Sequence, residues 1–158
     1  MADQNSTRNV FVRLAVDSDA PGIAALLGEL GYPATESETR GRMSALATRP
    51  DAAVFVAHWD NAVAGVLSFH IIPLFHAEGN LGRITSLVVT KSARTHGVGK
   101  ALVQAAEDFG TAHGCVRIEV TTGEHRPEAH RFYEKLGFGP VDRRFVKGAR
   151  LTGPGDRP

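Results

Sequence analysis

The spacing of apolar residues changes period repeatedly along the chain, between two and nearly four, and each change predicts an element. Residues 10–16 alternate, with Val10, Val12 and Leu14 on one side and Phe11 and Arg13 on the other, as a strand does. Asp17-Ser18-Asp19 then offers N-cap oxygens, Pro21 suits a first helical turn, and Ile23, Leu26, Leu27 and Leu30 recur at helical spacing until Gly31. Thr35-Glu36-Ser37-Glu38 is a capping start for a second helix that reaches about Ala47 and stops near Pro50. Its apolar stripe is only Met43, Leu46 and Ala47, so it is predicted to lie at the surface.

Two β-rich runs, 52–58 and 62–72, flank Trp59-Asp60-Asn61 and predict an antiparallel hairpin. A strand follows over 81–89, then a helix over about 97–113 with Leu102, Val103, Ala106 and Phe109 facing inward and Gly114 ending it. A strand over 115–121, a helix over 127–136 stopped by Gly137 and a last strand over 138–146 complete the series. The predicted order is β-α-α-β-β-β-α-β-α-β. Strand 4, helix 3 and strand 5 form a crossover, so those strands are expected as parallel neighbours inside a mostly antiparallel, mixed sheet of an α/β fold.

Composition narrows the class. With 158 residues and 42% hydrophobic positions, one domain can bury roughly 70% of the surface its unfolded chain exposes. That domain is expected over residues 10–146, with 1–9 and 147–158 as flexible tails of polar, glycine and proline residues. The net charge of +1 is scattered, so neither nucleic acid nor a membrane surface is expected as partner, and a small molecule is. The single Cys115 allows no internal disulfide and no run is apolar enough for a leader or a span; a cytoplasmic protein is expected. Cys115 reads as an ordinary buried thiol, and His125 and His130 lack ligand spacing, so no metal is expected.

Chemistry concentrates between strand 4 and helix 3. Arg94-Thr95-His96-Gly97-Val98-Gly99 follows the apolar Leu87-Val88-Val89 and opens a helix that continues through Lys100. Amides at a helix start lack internal acceptors and the helix dipole adds positive charge there, so a diphosphate can collect several hydrogen bonds. The glycines let that backbone approach closely. The hexapeptide alone also fits an ordinary glycine-opened helix.

A second signature decides the reading. Arg94-x-x-Gly97-x-Gly99 resembles the pyrophosphate loop of the GNAT superfamily of acyl-CoA-dependent N-acetyltransferases. Ala129-His130-Arg131-Phe132-Tyr133-Glu134-Lys135-Leu136-Gly137-Phe138 resembles that superfamily's C-terminal Ala-x-x-hydrophobic-Tyr-x-x-x-Gly-Phe. The resemblance covers residues 10–146. Arg126 stands where many members have asparagine, and His96 where small or basic residues are commoner.

The resemblance implies that strands 4 and 5 splay apart and that the pantetheine arm of acetyl-CoA, the co-substrate, pairs with strand 4 through Leu87, Val88 and Val89. It further implies a diphosphate on the amides of Arg94, Thr95, His96, Gly97, Val98, Gly99 and Lys100; separately, the cationic Arg117 and Arg126 are candidates to meet phosphate groups of the coenzyme, its 3′-phosphate included. An amide near Val89 would face the thioester carbonyl as charge develops there. The acetyl group would pass to a primary amine by direct attack in a ternary complex.

An alkyl amine with a pKa of about 10.4 is about one part in a thousand deprotonated near neutrality, so a proton must leave before attack. Glu119, Glu78 and His70 are the candidates to take it, Glu119 having the best strand position. By resemblance the Tyr133 hydroxyl lies near the coenzyme sulfur and donates a hydrogen bond to it.

Three other readings share some of these features. A Rossmann domain would share Gly97-Val98-Gly99, but Leu102 replaces its third glycine and too little chain follows. A Walker loop fails at Arg94 and Ala101. A non-catalytic acyl-CoA sensor on the same fold stays open, as do homodimer formation and the acceptor: aminoglycosides, polyamines, amino acids, protein N-termini or lysines.

Overall fold

In the computed structural model, residues 9–122, 126–141 and 144–148 are described. The chain divides into two compact units, Met1–Thr121 and Thr122–Pro158. The first holds β1 (Phe11–Leu14), α1 (Ala20–Leu30), α2 (Glu36–Ala47), β2 (Ala52–Trp59), β3 (Ala62–Pro73), β4 (Asn80–Val89), α3 (Val98–Ala112) and β5 (Cys115–Val120). The second holds α4 (Pro127–Lys135). No described helix is long and apolar enough to cross a membrane.

The five strands stand in chain order, β1-β2-β3-β4-β5, in a mixed sheet. The first three pairings are antiparallel and β4 with β5 is parallel, as the crossover requires. The hairpin loop is shorter than expected: Trp59 pairs with Ala62, leaving Asp60 and Asn61 as a two-residue turn. Both have positive φ, 54° and 62°, which Asp and Asn tolerate and which matches the twist of the flanking strands.

Two helix starts resolve differently. Thr35 and Glu38 form the expected capping box, Glu38 N–H donating to Thr35 Oγ1 at 3.1 Å and Thr35 N–H to Glu38 Oε2 at 2.7 Å. Asp17-Ser18-Asp19 instead forms a 3-10 turn ahead of α1, and the buried Asp19 carboxylate turns away from the helix. It accepts from Val16 N–H at 2.8 Å and from both Arg13 terminal nitrogens, at 2.7 and 2.9 Å. Arg13 holds that carboxyl below its ordinary range and ties β1 to the turn.

The expected last strand is corrected. Residues 138–141 and 144–148 carry no strand, and 142–143 lie outside the described residues. Gly137, Gly139 and Pro140 remove the ladder donor and the side chains a strand needs.

The sheet separates two cores. On one face Ile23 and Leu26 of α1 pack on Val56, Val66 and Val88. On the other, Phe109 of α3 meets Phe55 and Phe69 edge to face, with centroids 5.8 and 6.0 Å apart. Gly65 sets how closely α3 approaches: a Cβ there would stand 2.9 Å from Leu102 Cδ1 and 3.0 Å from Val98 Cγ1. Only a glycine lets the first turn of α3 lie directly on β3.

Candidate active site

The segment joining β4 to α3 is bent by two positive φ angles, Thr95 at 67° and Gly97 at 81°. The first bond of α3 runs from Ala101 N–H to Gly97 O at 3.0 Å, so the amides of Val98, Gly99 and Lys100 lie ahead of the ladder with no carbonyl of the helix to receive them. Buried Val98 anchors the turn from below. The His96 ring lies on Trp59, with centroids 4.6 Å apart, and its Nδ1 donates to Arg94 O at 2.8 Å. Arg94 turns back and donates from Nε to Val89 O at 3.1 Å. The result is a rigid, amide-rich concavity with cationic Arg94 and Lys100 at its edge, suited to an anion.

Immediately before it the sheet forks. β5 pairs with β4 from Asn80–Cys115 to Ile84–Val120 and ends, whereas β4 continues to Val89 paired with β3 alone. Among the described residues no strand covers the other edge of residues 85–89. Those peptide groups have donors and acceptors to offer an extended, amide-bearing ligand.

An irregularity marks the fork. Ser68 pairs with Ser86 and Phe69 with Ile84, so Thr85 is the extra residue of a β-bulge. The bulge turns Thr85 and Ser86 toward the same side, and both line a cleft of about 390 Å³ under α1 and α2. Thr85 and Ser68 share a hydrogen bond at 2.7 Å. The walls are mainly apolar, including Leu27, Leu30, Met43 and Leu46, and Arg42 reaches the cleft from α2.

The model of the acetyltransferase (GNAT) family matches residues 23–138, which include the fork, the amide-rich turn and the Tyr133 segment. This chain belongs to that family. Relatives include the aminoalkylphosphonate N-acetyltransferase of Salmonella typhimurium, 28% identical over 137 residues, covering 86% of this chain and 89% of that protein. The glucosamine 6-phosphate N-acetyltransferase of Trypanosoma brucei brucei is 29% identical over 140 residues, covering 84% and 90%. Among solved structures, the aminoglycoside N-acetyltransferase AAC(6')-Iy in complex with CoA superposes with a TM-score of 0.81 over 93% of this chain and 99% of that one. At 18% identity that likeness shows the fold. The chain is an N-acetyltransferase, and the dinucleotide-binding alternative falls away.

Within this acetyltransferase the nominated residues fall into distinct places. Leu87, Val88 and Val89 form the open edge of the fork, and Arg94 to Lys100 form the turn. Glu119 stands one residue before the last β4–β5 pair, in register with Arg83. Its Oε2 accepts from Arg83 at 2.8 Å and its Oε1 from Arg117 at 3.1 Å, so both oxygens are engaged. His70, opposite Arg83 on β3, is half-buried, and burial holds its imidazole below the ordinary histidine range, neutral at pH 7. Glu78 is exposed in the loop before β4, about 20 Å of strand away from Thr85. Burial pushes the Cys115 thiol up.

Tyr133 and Arg126 belong to the second unit. Gly137, at φ 90°, folds the chain back so that Phe138 N–H donates to Tyr133 O at 3.0 Å. The Tyr133 ring then packs between Phe132 and Phe138, with centroids 5.0 and 5.6 Å away. Burial pushes its phenol up to about 12, partly opposed by the positive charge of Arg126. His125 lies outside the described residues. Sequence reasoning does not single out Arg42, Ser68, Thr85 or Ser86, because the bulge that turns the last two together leaves no local signature.

Proposed function

We propose that this chain moves an acetyl group from acetyl-CoA to a small primary amine by direct attack in a ternary complex. The observation that carries the reading is the end of β4–β5 pairing at Ile84–Val120, directly before a turn of unpaired helix amides. The coenzyme diphosphate sits on residues 94–100, Arg126 meets a phosphate, and the pantetheine amides pair with Leu87, Val88 and Val89. Relatives named for aminoalkylphosphonate and glucosamine 6-phosphate support a small amine as acceptor.

The amine nitrogen attacks the thioester carbon, the carbon–sulfur bond breaks, and the thiolate leaves. Glu119 receives the amine proton through water, its carboxylate held in place by Arg83 and Arg117. Tyr133 serves the sulfur. A phenol at about 12 stays protonated through the working range, and its full transfer to a thiolate of pKa about 8.5 costs about 5 kcal/mol. Tyr133 is therefore a hydrogen-bond donor, and the proton that finally neutralises sulfur originates on the cationic nitrogen of the tetrahedral adduct, which sheds it as the amide forms.

Calorimetry with CoA and thiol release over a panel of amines test the proposal together. Expected are CoA binding, turnover on at least one amine, and a roughly 10–100-fold lower kcat for Tyr133→Phe with the acetyl-CoA KM unchanged. CoA binding without thiol release on any amine would instead support a sensor. Unchanged turnover of Tyr133→Phe across the pH profile would remove that residue from the chemistry.

A further inference from the structure

Among the described residues of the first unit, every arginine but Arg42 is already engaged. Arg13 holds Asp19, Arg40 holds Asp17 and Glu36, Arg49 holds Asp51, and Arg83 and Arg117 share Glu119. Arg94 donates to a backbone carbonyl. Among the described residues Arg42 makes no side-chain hydrogen bond or ion pair. Its charge is felt by Glu38 one turn earlier, whose Oε2 accepts from Thr35 N–H and Oγ1 instead.

Arg42 is also the sole charged side chain among the described residues lining the cleft at the fork. Among the described residues no aspartate or glutamate lines it. The inner end carries the hydroxyls of Ser68, Thr85 and Ser86, beside the open edge of β4, and the middle is apolar. A volume of about 390 Å³ admits a small metabolite but little more. A polyamine entering there would bring several ammonium groups past a guanidinium with no carboxylate to balance them. A compound with one amine and one acid group meets the reverse: the acid pairs with the guanidinium, whose planar donors suit a carboxylate or phosphoryl group, and the amine points toward the fork.

We propose that the acceptor is a small amine carrying its own anionic group, a carboxylate or a phosphoryl group, and that Arg42 is the specificity-determining residue that binds it. This rests on the acetyltransferase reading above.

The test uses the full chain with acetyl-CoA and four acceptors: 2-aminoethyl phosphate, β-alanine, ethanolamine and spermidine. Expected is a kcat/KM at least tenfold higher for one or both anionic amines than for ethanolamine, their order telling phosphoryl from carboxylate recognition. Arg42→Gln should raise the KM of the preferred anionic amine about 10–100-fold, leaving ethanolamine and the acetyl-CoA KM within twofold. Arg42→Lys should recover part of the loss. Calorimetry of the preferred amine on the CoA complex should show the same weakening without turnover. Because Arg42 is exposed, the variants test recognition rather than folding. Preference for spermidine or ethanolamine, or an Arg42→Gln loss equal on every amine, overturns the proposal while leaving acetyl transfer standing. No thiol release on any amine overturns acetyl transfer and this inference with it.

Discussion

The two faces of the sheet are packed to different standards. Toward α3 the chain is closed: Leu102 and Phe69 are fully buried, Phe109 interlocks with Phe55 and Phe69, and Gly65 and Gly82 leave no room for a Cβ. Toward α1 and α2 it is only half closed. Ile23 and Leu26 seal part of the surface, but α2 brings just Met43 and Leu46, and a cleft remains over the fork. The difference matches what each face must do. On the function proposed above, the turn would hold a diphosphate and has to be fixed to fractions of an ångström, and a helix seated on glycine fixes it. On the same proposal, the opposite face would admit the second substrate.

Equal truncations on the two faces should therefore have unequal results. Leu102→Ala removes a fully buried side chain from the closed face and should cost about 2–5 kcal/mol, lowering Tm by roughly 5–15 °C. Leu27→Ala lines the cleft, where solvent can refill the space, and should cost about 1 kcal/mol while changing the acceptor KM and not that of acetyl-CoA. Thermal melts and two-substrate kinetics check both. Similar losses of stability would mean that the faces do not differ in packing.

Much of this contrast is legible in the sequence. Leu102, Val103, Ala106 and Phe109 announce a strongly apolar helix face, and the thin stripe of Met43, Leu46 and Ala47 announces a loosely held one. The crossover fixes β4 and β5 as parallel neighbours, and Arg94 to Gly99 announces the turn. The cleft is not legible. It depends on which residue of β4 is the extra one, and a bulge at Thr85 is decided by the pairing of Ser86 with Ser68 and of Ile84 with Phe69 across the hairpin. The role of Asp19 is lost for a like reason: its partner Arg13 lies across a turn, and a carboxylate before a helix ordinarily reads as a cap. The proposed final strand fails because its apolar residues follow Gly139 and Pro140, whose backbone preferences outweigh their pattern.

A smaller effect separates two glycines that serve α3. At Gly65 space is the constraint; at Gly97 no atom lies within 4 Å of an added Cβ, and the constraint is φ of 81° alone. Gly97→Ala should therefore cost only about 1 kcal/mol of left-handed strain. Relief of that strain would rotate the amides ahead of Val98, so CoA binding should weaken several-fold with the acceptor KM unmoved. Calorimetry checks this, and unaltered CoA affinity would place the diphosphate elsewhere.

The smallest effect comes from the open face, where His70 lies two residues from Ser68. Burial disfavours its imidazolium, outweighing the attraction of Asp51, so its folded pKa lies below the unfolded value of 6.5. As pH falls through 6.5 the unfolded chain takes up this proton first, and stability present above that value is lost until the folded pKa is reached. Melts between pH 7.5 and 5 should therefore show a decline that His70→Gln reduces. If His70 also took the amine proton, the same substitution would abolish the acid limb of kcat/KM; if its neutrality is only a consequence of burial, that limb stays and the stability slope alone changes. The two readouts separate a residue of the cleft's chemistry from one that packs beside it.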